Sequence, residues 1–201
     1  MFITLEGGEG AGKSTQTRLL ADKIAATGRA VLRTREPGGA PGAETLREML
    51  LEGRIKWSPA AETHLHFAAR AEHLARTILP ALEAGTVVVC DRFADSTLAY
   101  QGYGQGADRR LIAGLTALLP VKPDLTVLLT IDPQTGTSRI AQRAGRPDRY
   151  EAMDAAFHQR VAEGYAAIAA EDPDRFVVIP GEGSVDAVHA RVWRAVQVRL
   201  A

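Results

Sequence analysis

The residues with the clearest chemical meaning lie near the start of the chain, in the segment Gly7-Gly8-Glu9-Gly10-Ala11-Gly12-Lys13-Ser14. They match the pattern G-x-x-x-x-G-K-[ST], between a short apolar run and a helical pattern. In such a P-loop, backbone N–H groups and the helix N-terminus contact phosphate oxygens. Lys13 is then placed to reach the β- and γ-phosphates, and the Ser14 hydroxyl to ligate Mg²⁺. We therefore predict that this segment, with Thr15, binds a nucleoside triphosphate.

Two acidic residues compete for the role of second magnesium ligand. Asp91 and Asp132 each end an apolar run, the position where a P-loop enzyme places the carboxylate that helps to hold Mg²⁺. Asp132 precedes a proline and a helical pattern, so a helix N-cap accounts for it. Asp91 is followed by Arg92, which can bind phosphate through two hydrogen bonds. We predict Ser14 and Asp91 as the metal ligands.

A parallel sheet would bring these residues together. Apolar, β-branched runs bounded by turn residues recur at residues 2–5, 30–32, 86–90, 125–131 and 176–179. The segments between them have helical spacing, including residues 43–51, a helix that starts at Ser58, and residues 154–170 and 185–200. This alternation predicts an α/β fold, a five-stranded parallel sheet with helices on both faces. Ligands collect at the carboxyl ends of such strands.

Composition and length restrict the class of protein. The 201 residues fit one domain, residues 1–201, and the 24 basic and 24 acidic side chains balance. The absence of net charge argues against nucleic-acid or membrane-surface partners. Met1 leads straight into the first strand with no signal or membrane-spanning run, so we expect a cytoplasmic protein. Cys90, the only cysteine, ends an apolar run and is interpreted as a buried small residue.

Two further segments have more than one interpretation. Phe67 and Arg70 share a helix face, so they could stack on a base and donate to it, but spacing alone favours a core aromatic beside a surface arginine. A group of arginines is either a solvated loop or a lid over phosphates: Arg139, Arg143, Arg146 and Arg149. The glycines 102, 104 and 106 suggest a mobile surface turn.

In their order and separation, these segments resemble bacterial thymidylate kinase over essentially the full length. The match rests on the P-loop, Arg35-Glu36-Pro37-Gly38-Gly39, Phe67-Ala68-Ala69-Arg70, Asp91-Arg92 and Ser96-Thr97-Leu98-Ala99-Tyr100-Gln101-Gly102. The resemblance implies transfer of the γ-phosphoryl group of ATP to dTMP, giving dTDP, with Mg²⁺ as cofactor. It also implies the three-layer P-loop fold of nucleoside-monophosphate kinases, with a short arginine-bearing lid, and a homodimer.

The resemblance further implies a role for each matching residue. Phe67 would stack on thymine and Arg70 would donate to its O4, against the interpretation from spacing. Tyr100 would pack under the deoxyribose, and Glu9 would meet the 3′-hydroxyl or orient the substrate phosphate. The remaining substrate residues fall in two groups: Ser96, Thr97 and Gln101 around the base, and Arg35, Glu36, Pro37, Arg47 and Arg92 around the 5′-phosphate.

The implied catalytic residues are Glu9, Lys13, Arg92, Arg143 and Arg146. Some family members carry a basic residue at the position of Gly10 and few arginines in the lid. Here the glycine and the arginines of residues 139–149 resemble the bacterial arrangement, in which lid arginines supply charge to the transition state. Phosphoryl transfer is helped mainly by positioning and electrostatics. Whether Arg143 or Arg146 contacts the transferred group stays open.

Other functions fit the sequence less well. A kinase for dUMP or CMP would need a pocket for another base, and Phe67, Arg70 and Gln101 indicate a pyrimidine without fixing its methyl group. A deoxynucleoside kinase has less use for two additional phosphate arginines. A regulatory GTPase would show D-x-x-G and N-K-x-D, and the sequence contains neither. A DNA-dependent ATPase would need a basic surface and a longer chain.

Overall fold

The predicted strands form one parallel sheet in the computed structural model, which describes residues 1–52, 55–142 and 148–200. The strands are Phe2–Glu6 (β1), Val31–Arg35 (β2), Val87–Asp91 (β3), Leu125–Thr130 (β4) and Phe176–Pro180 (β5). Their order is β2-β3-β1-β4-β5, and every neighbouring pair is parallel. Each strand lies on a predicted apolar run, and β2 extends beyond its run to Arg35.

The helical segments follow the predicted alternation. They are Lys13–Ala25 (α1), Pro41–Leu51 (α2), Pro59–His73 (α3), Leu79–Glu83 (α4), Ala94–Thr97 (α5), Arg109–Ala117 (α6), Pro133–Ala141 (α7), Ala155–Glu171 (α8) and Val185–Leu200 (α9), with π-helical turns at Leu74–Ile78 and Leu98–Gly104. The Ser58 hydroxyl accepts from the Ala61 amide, which confirms the predicted start of α3. Asp132 likewise accepts from the Thr135 amide at 3.0 Å and caps α7.

Side chains of the central strands alternate between two apolar layers. Ile3 and Leu5 of β1 pack with α1 and α9 on one face. Phe2, beside them in sequence, packs on the opposite face with the π-helical turn at Leu74–Ile78. On that same face, Leu128 of β4 packs against α8. Since successive side chains of a strand point to opposite faces, two-sided burial makes the strands almost continuously apolar. The three-layer prediction is confirmed.

The topology sets where a ligand can bind. The chain passes from β1 through α1 to β2 at the edge of the sheet, while β4 pairs with the other side of β1. A crevice therefore forms beyond the carboxyl end of β1, at the point where the strand order reverses. The register pairs Leu5 with Asp91 and Arg35 with Asp91, so the segments that follow β1, β2 and β3 meet at this edge.

One prediction about local structure is wrong. Gly102 and Gly104 lie buried in the π-helical turn Leu98–Gly104 instead of in a mobile surface turn, whereas Gly106 is exposed. A side chain at Gly104 would overlap the Phe157 ring and Val161, both on α8. The glycine is needed here for close packing between two helical segments, and flexibility is not its role.

Candidate active site

The P-loop connects β1 to α1 and curls around a space at the helix N-terminus. Gly7 and Gly10 have φ of 141° and 72°, and a Cβ atom at either position would overlap a backbone carbonyl, of Leu129 and of Gly136 respectively. Only glycine fits both conditions without strain. The helix begins at Lys13 with no side-chain cap, so its first N–H groups are available to an anion.

Lys13 and Ser14 hold positions suited to phosphate and metal chemistry. The Lys13 side chain is buried, and its ammonium group donates to the Gly8 carbonyl at 2.8 Å. Burial, and secondarily the charge of Arg92, lowers the pKa of Lys13, while nearby carboxylates oppose this change. The Ser14 hydroxyl donates to Asp91 Oδ2 at 2.6 Å. Thr15 is exposed in the first turn of α1.

Arg92 links the P-loop to the neighbouring cleft. Its backbone has φ of 70°, an unusual conformation for a residue with a side chain. The guanidinium group donates to Glu9 Oε1 at 2.5 Å, to the Tyr100 hydroxyl at 2.9 Å and to the Gly7 carbonyl at 3.2 Å. It also lies 4.7 Å from the Tyr100 ring centre. Burial alone would raise the pKa of Glu9, but Arg92 and Lys13 lower it to about 2, so this carboxylate stays ionised.

The other two arginines predicted at the phosphates, Arg35 and Arg47, also line the cleft. Arg35 pairs with Glu44 at 2.9 Å, and about half of its side chain is exposed. Arg47, on α2, donates to the Pro37 carbonyl at 2.7 Å. Both arginines line the same cleft as Lys13 and Arg92. The structure therefore brings together all four of the cationic residues predicted at the phosphates within its described ranges.

Arg70 is held at the far end of the cleft with one donor group unused. Its Nε donates to Glu36 Oε2 at 2.7 Å, and its Nη2 donates to the Thr97 hydroxyl at 3.1 Å. Nη1 is buried and has no hydrogen-bond partner among the described residues. The second oxygen of Glu36 is 3.1 Å from Nδ1 of His73. Glu36 lines the cleft as predicted, but its carboxylate is committed to Arg70 and His73.

The prediction that Phe67 stacks on the base is not supported by its position. Phe67 packs against Ala107 and Ile112, and its ring centre lies 4.8 Å from the Arg70 guanidinium carbon, but it is not among the cleft-lining residues. His66, one residue earlier, lines the cleft together with Arg70. A single residue step rotates a side chain by roughly 100° around a helix, enough to move it out of the pocket.

His66 belongs to a row of polar residues along one face of α3. Their spacing is visible in the sequence, but the motif match did not use it. Buried Glu62, His66, Arg70 and His73 recur along α3 at intervals of four, four and three residues, on one face of the helix. Burial, and next the charges of Arg70 and Arg149, lowers the pKa of His66 to about 3, so its ring is neutral at physiological pH. Two of these four residues, His66 and Arg70, line the cleft.

The other predicted substrate residues lie on β3's continuation into α5 and the following π-helical turn. Ser96, Thr97, Tyr100 and Gln101 all line the cleft. The Ser96 hydroxyl donates to buried Glu6 at 2.6 Å. Gln101 donates to Glu62 at 2.9 Å and to the Tyr150 hydroxyl at 3.1 Å. Sequence reasoning missed Glu62 and Tyr150, which are 88 residues apart and joined by a hydrogen bond of 2.7 Å.

The arginine cluster divides into three parts. Arg139 donates to the carbonyls of Gly10 and Gly181, at 3.3 and 3.2 Å, and so ties α7 to the P-loop. Arg149 forms an ion pair of 2.6 Å with Glu62. The predicted catalytic residues Arg143 and Arg146 lie outside the described residues.

Two further observations concern metals and membranes. In residues 1–52, 55–142 and 148–200, no three His, Cys, Asp or Glu side chains lie close enough to hold a metal ion. None of the helices in these ranges has the length and apolar character needed to cross a membrane. Cys90 is buried, and burial raises the pKa of its thiol well above the usual value, which agrees with a packing role.

Comparison with known proteins adds an independent line of evidence. A family model described as thymidylate kinase matches residues 5–192. The thymidylate kinases of Gluconobacter oxydans and Caulobacter vibrioides are 52% and 50% identical, over 100% and 99% of this chain and 95% and 97% of theirs. A crystal structure of thymidylate kinase from Ehrlichia chaffeensis superposes with a TM-score of 0.81 at 34% identity, covering 98% of each chain.

Proposed function

Because this chain belongs to the thymidylate kinase family and uses ATP to phosphorylate dTMP to dTDP, we propose that its cleft divides the work between two halves. The phosphate half consists of the P-loop, Arg35, Arg47, Asp91 and Arg92. The base half consists of His66, Arg70, Thr97 and Gln101. The observation that carries the proposal is the position of Arg92, which contacts the P-loop carbonyl of Gly7 and the Tyr100 side chain at once.

On the donor side, the P-loop amides and Lys13 bind the phosphates of ATP. In the free protein the Lys13 ammonium donates to the Gly8 carbonyl, and we expect it to exchange this partner for phosphate oxygens when ATP binds. The negatively charged phosphate oxygens of ATP compensate a buried ammonium far better than a carbonyl dipole does. The charge that develops on the γ-phosphoryl oxygens is then stabilised by a group that is already in place.

On the acceptor side, Arg92 and Arg35 hold the 5′-phosphate of dTMP in line with the transferred group, assisted by Arg47. Two of these guanidinium groups are paired with carboxylates, Arg92 with Glu9 and Arg35 with Glu44. These carboxylates orient the arginines before the substrate arrives, which lowers the cost of ordering them. The phosphate of dTMP is itself anionic near neutral pH, so it attacks without a strong general base.

In the base half, the unpartnered Nη1 of Arg70 donates to O4 of thymine, and His66 takes the place assigned to Phe67 against the ring. The neutral imidazole is suited to this contact because it carries no charge that would need solvation. Tyr100 packs under the deoxyribose and disfavours a 2′-hydroxyl group. Its own hydroxyl donates to Glu9 at 2.8 Å, which fixes the ring between the two halves.

We also propose Mg²⁺ as the cofactor, with Ser14 and Asp91 as the residues that hold it, Asp91 through water. Their oxygens lie 2.6 Å apart beside the P-loop, and a pair of hard oxygen ligands fits a cation that keeps several waters and binds substrate phosphates. When bound, Mg²⁺ would neutralise charge on the phosphate oxygens.

Four further proposals follow from family membership. Arg143 and Arg146 supply charge to the transferred phosphoryl group. The chain works as one domain. It forms a homodimer, which light scattering of the purified protein would test. It acts in the cytoplasm, which cell fractionation would test.

The test of the function is an ADP-release assay with ATP and Mg²⁺ that offers dTMP, dUMP, CMP, GMP and thymidine separately. We expect dTMP to give the highest kcat/KM, because Arg70 and Gln101 match the edge of this base. Equal turnover of CMP or GMP would contradict the assignment of the base half. Turnover of thymidine in place of dTMP would contradict the roles of Arg35 and Arg92.

A further inference from the structure

A buried carboxylate next to the base half, that of Glu62, has no role in the predictions made from the sequence. Glu62 has no exposed surface. Its Oε1 accepts hydrogen bonds from Gln101 at 2.9 Å, Gln105 at 2.6 Å and the Tyr150 hydroxyl at 2.7 Å. Its Oε2 forms the 2.6 Å ion pair with Arg149. A buried charge with this many partners is held in one place, and it fixes its partners in turn.

The first consequence concerns the amide of Gln101. A carboxylate oxygen accepts hydrogen bonds, so the atom of Gln101 that faces Glu62 is the NH₂ group. The same NH₂ group also donates to the Tyr150 hydroxyl at 3.1 Å. Both of its protons are therefore used, which leaves the amide oxygen as the group of Gln101 that can serve the cleft this residue lines. Glu62 thereby makes Gln101 a hydrogen-bond acceptor for whatever occupies the base half.

The second consequence concerns His66. The single proton of the Tyr150 hydroxyl goes to Glu62, so this hydroxyl can only accept from other groups. Nε2 of His66 lies 2.8 Å from the hydroxyl and must carry the proton. The neutral ring therefore has a lone pair on Nδ1. The carboxylate thus decides the tautomer of a second cleft-lining residue, through one intervening hydroxyl group.

The resulting pattern of donors and acceptors discriminates between pyrimidines. Arg70 offers an unused N–H and Gln101 offers a carbonyl oxygen. Thymine and uracil present the complementary pair, an acceptor at O4 and a donor at N3–H. Cytosine presents the reverse, a donor at its 4-amino group and an acceptor at N3. Buried polar groups left unpaired by the wrong base make such a site strongly selective.

From this geometry we infer that Glu62 is a positioning residue for base recognition, which orients the Gln101 amide so that it accepts from N3–H of the pyrimidine. The inference rests on the proposed base half. It adds to it the residue that determines whether Gln101 donates or accepts a hydrogen bond. In the Glu62→Gln variant, the new amide can donate to Gln101, and the Gln101 amide can then turn its NH₂ group toward the cleft.

The experiment measures kcat and KM for dTMP, dCMP and ATP in the wild type and in Glu62→Gln. We expect the ratio of kcat/KM for dTMP to that for dCMP to fall at least about tenfold. The reason is that Gln101 then presents a donor to the base where the wild type presents an acceptor. The KM for ATP should stay unchanged. Equal losses with dTMP and dCMP would show that Glu62 serves stability alone and would overturn the inference.

A rescue variant tests the mechanism itself. In Glu62→Gln/Gln101→Glu, the glutamine at 62 donates to a carboxylate at 101, whose second oxygen again accepts from N3–H. We expect the selectivity ratio to return to within about threefold of the wild type, because the acceptor is restored. A ratio as low as that of the single variant would show that Gln101 is not the group through which Glu62 acts.

Two controls separate other outcomes. Asp95→Asn removes a carboxylate from another partly buried ion pair, with Arg175 at 2.6 Å, and should lower the melting temperature without changing the ratio. If Glu62→Gln does not fold, Gln101→Met decides, because it removes the amide that Glu62 is inferred to orient; a ratio unchanged from the wild type would overturn the inference. A wild type that does not prefer dTMP to dCMP would instead contradict the proposed base half.

Discussion

The two halves of the cleft are built in different ways. In the phosphate half, Lys13 donates to a carbonyl only five residues away, and the P-loop is one continuous segment. In the base half, Arg70 bonds to Glu36 across 34 residues, and Tyr150 bonds to Glu62 across 88. The P-loop itself therefore depends on local backbone conformation, whereas the base half, like the bond of Arg92 to Glu9 across 83 residues, depends on side chains that only the complete fold brings together.

This difference predicts which substitutions affect chemistry and which affect recognition. Among the substitutions, Lys13→Ala should have the largest effect, and this effect should be on kcat. We expect kcat to fall by about three orders of magnitude or more, because a charge that stabilises the transition state is removed. Steady-state kinetics with saturating dTMP measures this, and Lys23→Ala, an exposed lysine on the same helix, is the matched control. Turnover near the wild-type level would refute the role of Lys13.

Arg70→Leu should affect recognition and stability together. Its loss removes the donor to O4 and leaves Glu36 buried beside His73 alone. We expect kcat/KM for dTMP to fall about 100-fold and the free energy of unfolding to fall by about 3 kcal/mol. Kinetics and urea denaturation measure the two effects. Arg76→Leu, on the exposed side of the same helical segment, should change neither. A normal kcat/KM for dTMP in Arg70→Leu would contradict the assignment of Arg70 to the base half.

A pair of neighbouring substitutions separates His66 from Phe67. His66→Leu should raise the KM for dTMP about tenfold, because the residue lines the cleft. Phe67→Leu should leave KM unchanged and lower the free energy of unfolding by about 1 to 2 kcal/mol, because its ring is packed in the core. The opposite pattern, with KM raised only in Phe67→Leu, would restore the stacking role that the sequence motif implied.

These residues show how far the sequence was informative. The strand, loop and helix of the P-loop and the caps at Ser58 and Asp132 were predicted correctly, because each is determined within a few adjacent residues, whereas β2 runs three residues beyond its predicted end. The assignment of Phe67 to the base stays a prediction, because the motif match does not distinguish it from the adjacent His66, which lines the cleft. Glu62 and Tyr150 could not be found as partners, because hydrogen bonds across 88 residues leave no local pattern. The glycine at 104 was misread because tight helix packing and flexible turns favour the same residue.

The smallest expected effect is a dependence of stability on pH. In the folded state the pKa of His66 is lowered from 6.5 to about 3. Below pH 6.5, His66 therefore binds a proton in the unfolded chain but not in the folded one. This contribution to stability is complete above pH 6.5 and is lost as the pH falls. Between pH 6.5 and 5 the wild type should lose about 2 kcal/mol more than His66→Leu does. Urea denaturation at both pH values measures the difference; identical losses would mean that His66 is protonated in the fold.

The most direct test of the division into two halves is a crystal structure of the protein with dTMP and ADP. We predict the 5′-phosphate between Arg35 and Arg92, O4 of thymine at about 3 Å from Nη1 of Arg70, and the ring of the base against His66. A base stacked on Phe67, or a phosphate remote from Arg92, would contradict this division of the cleft.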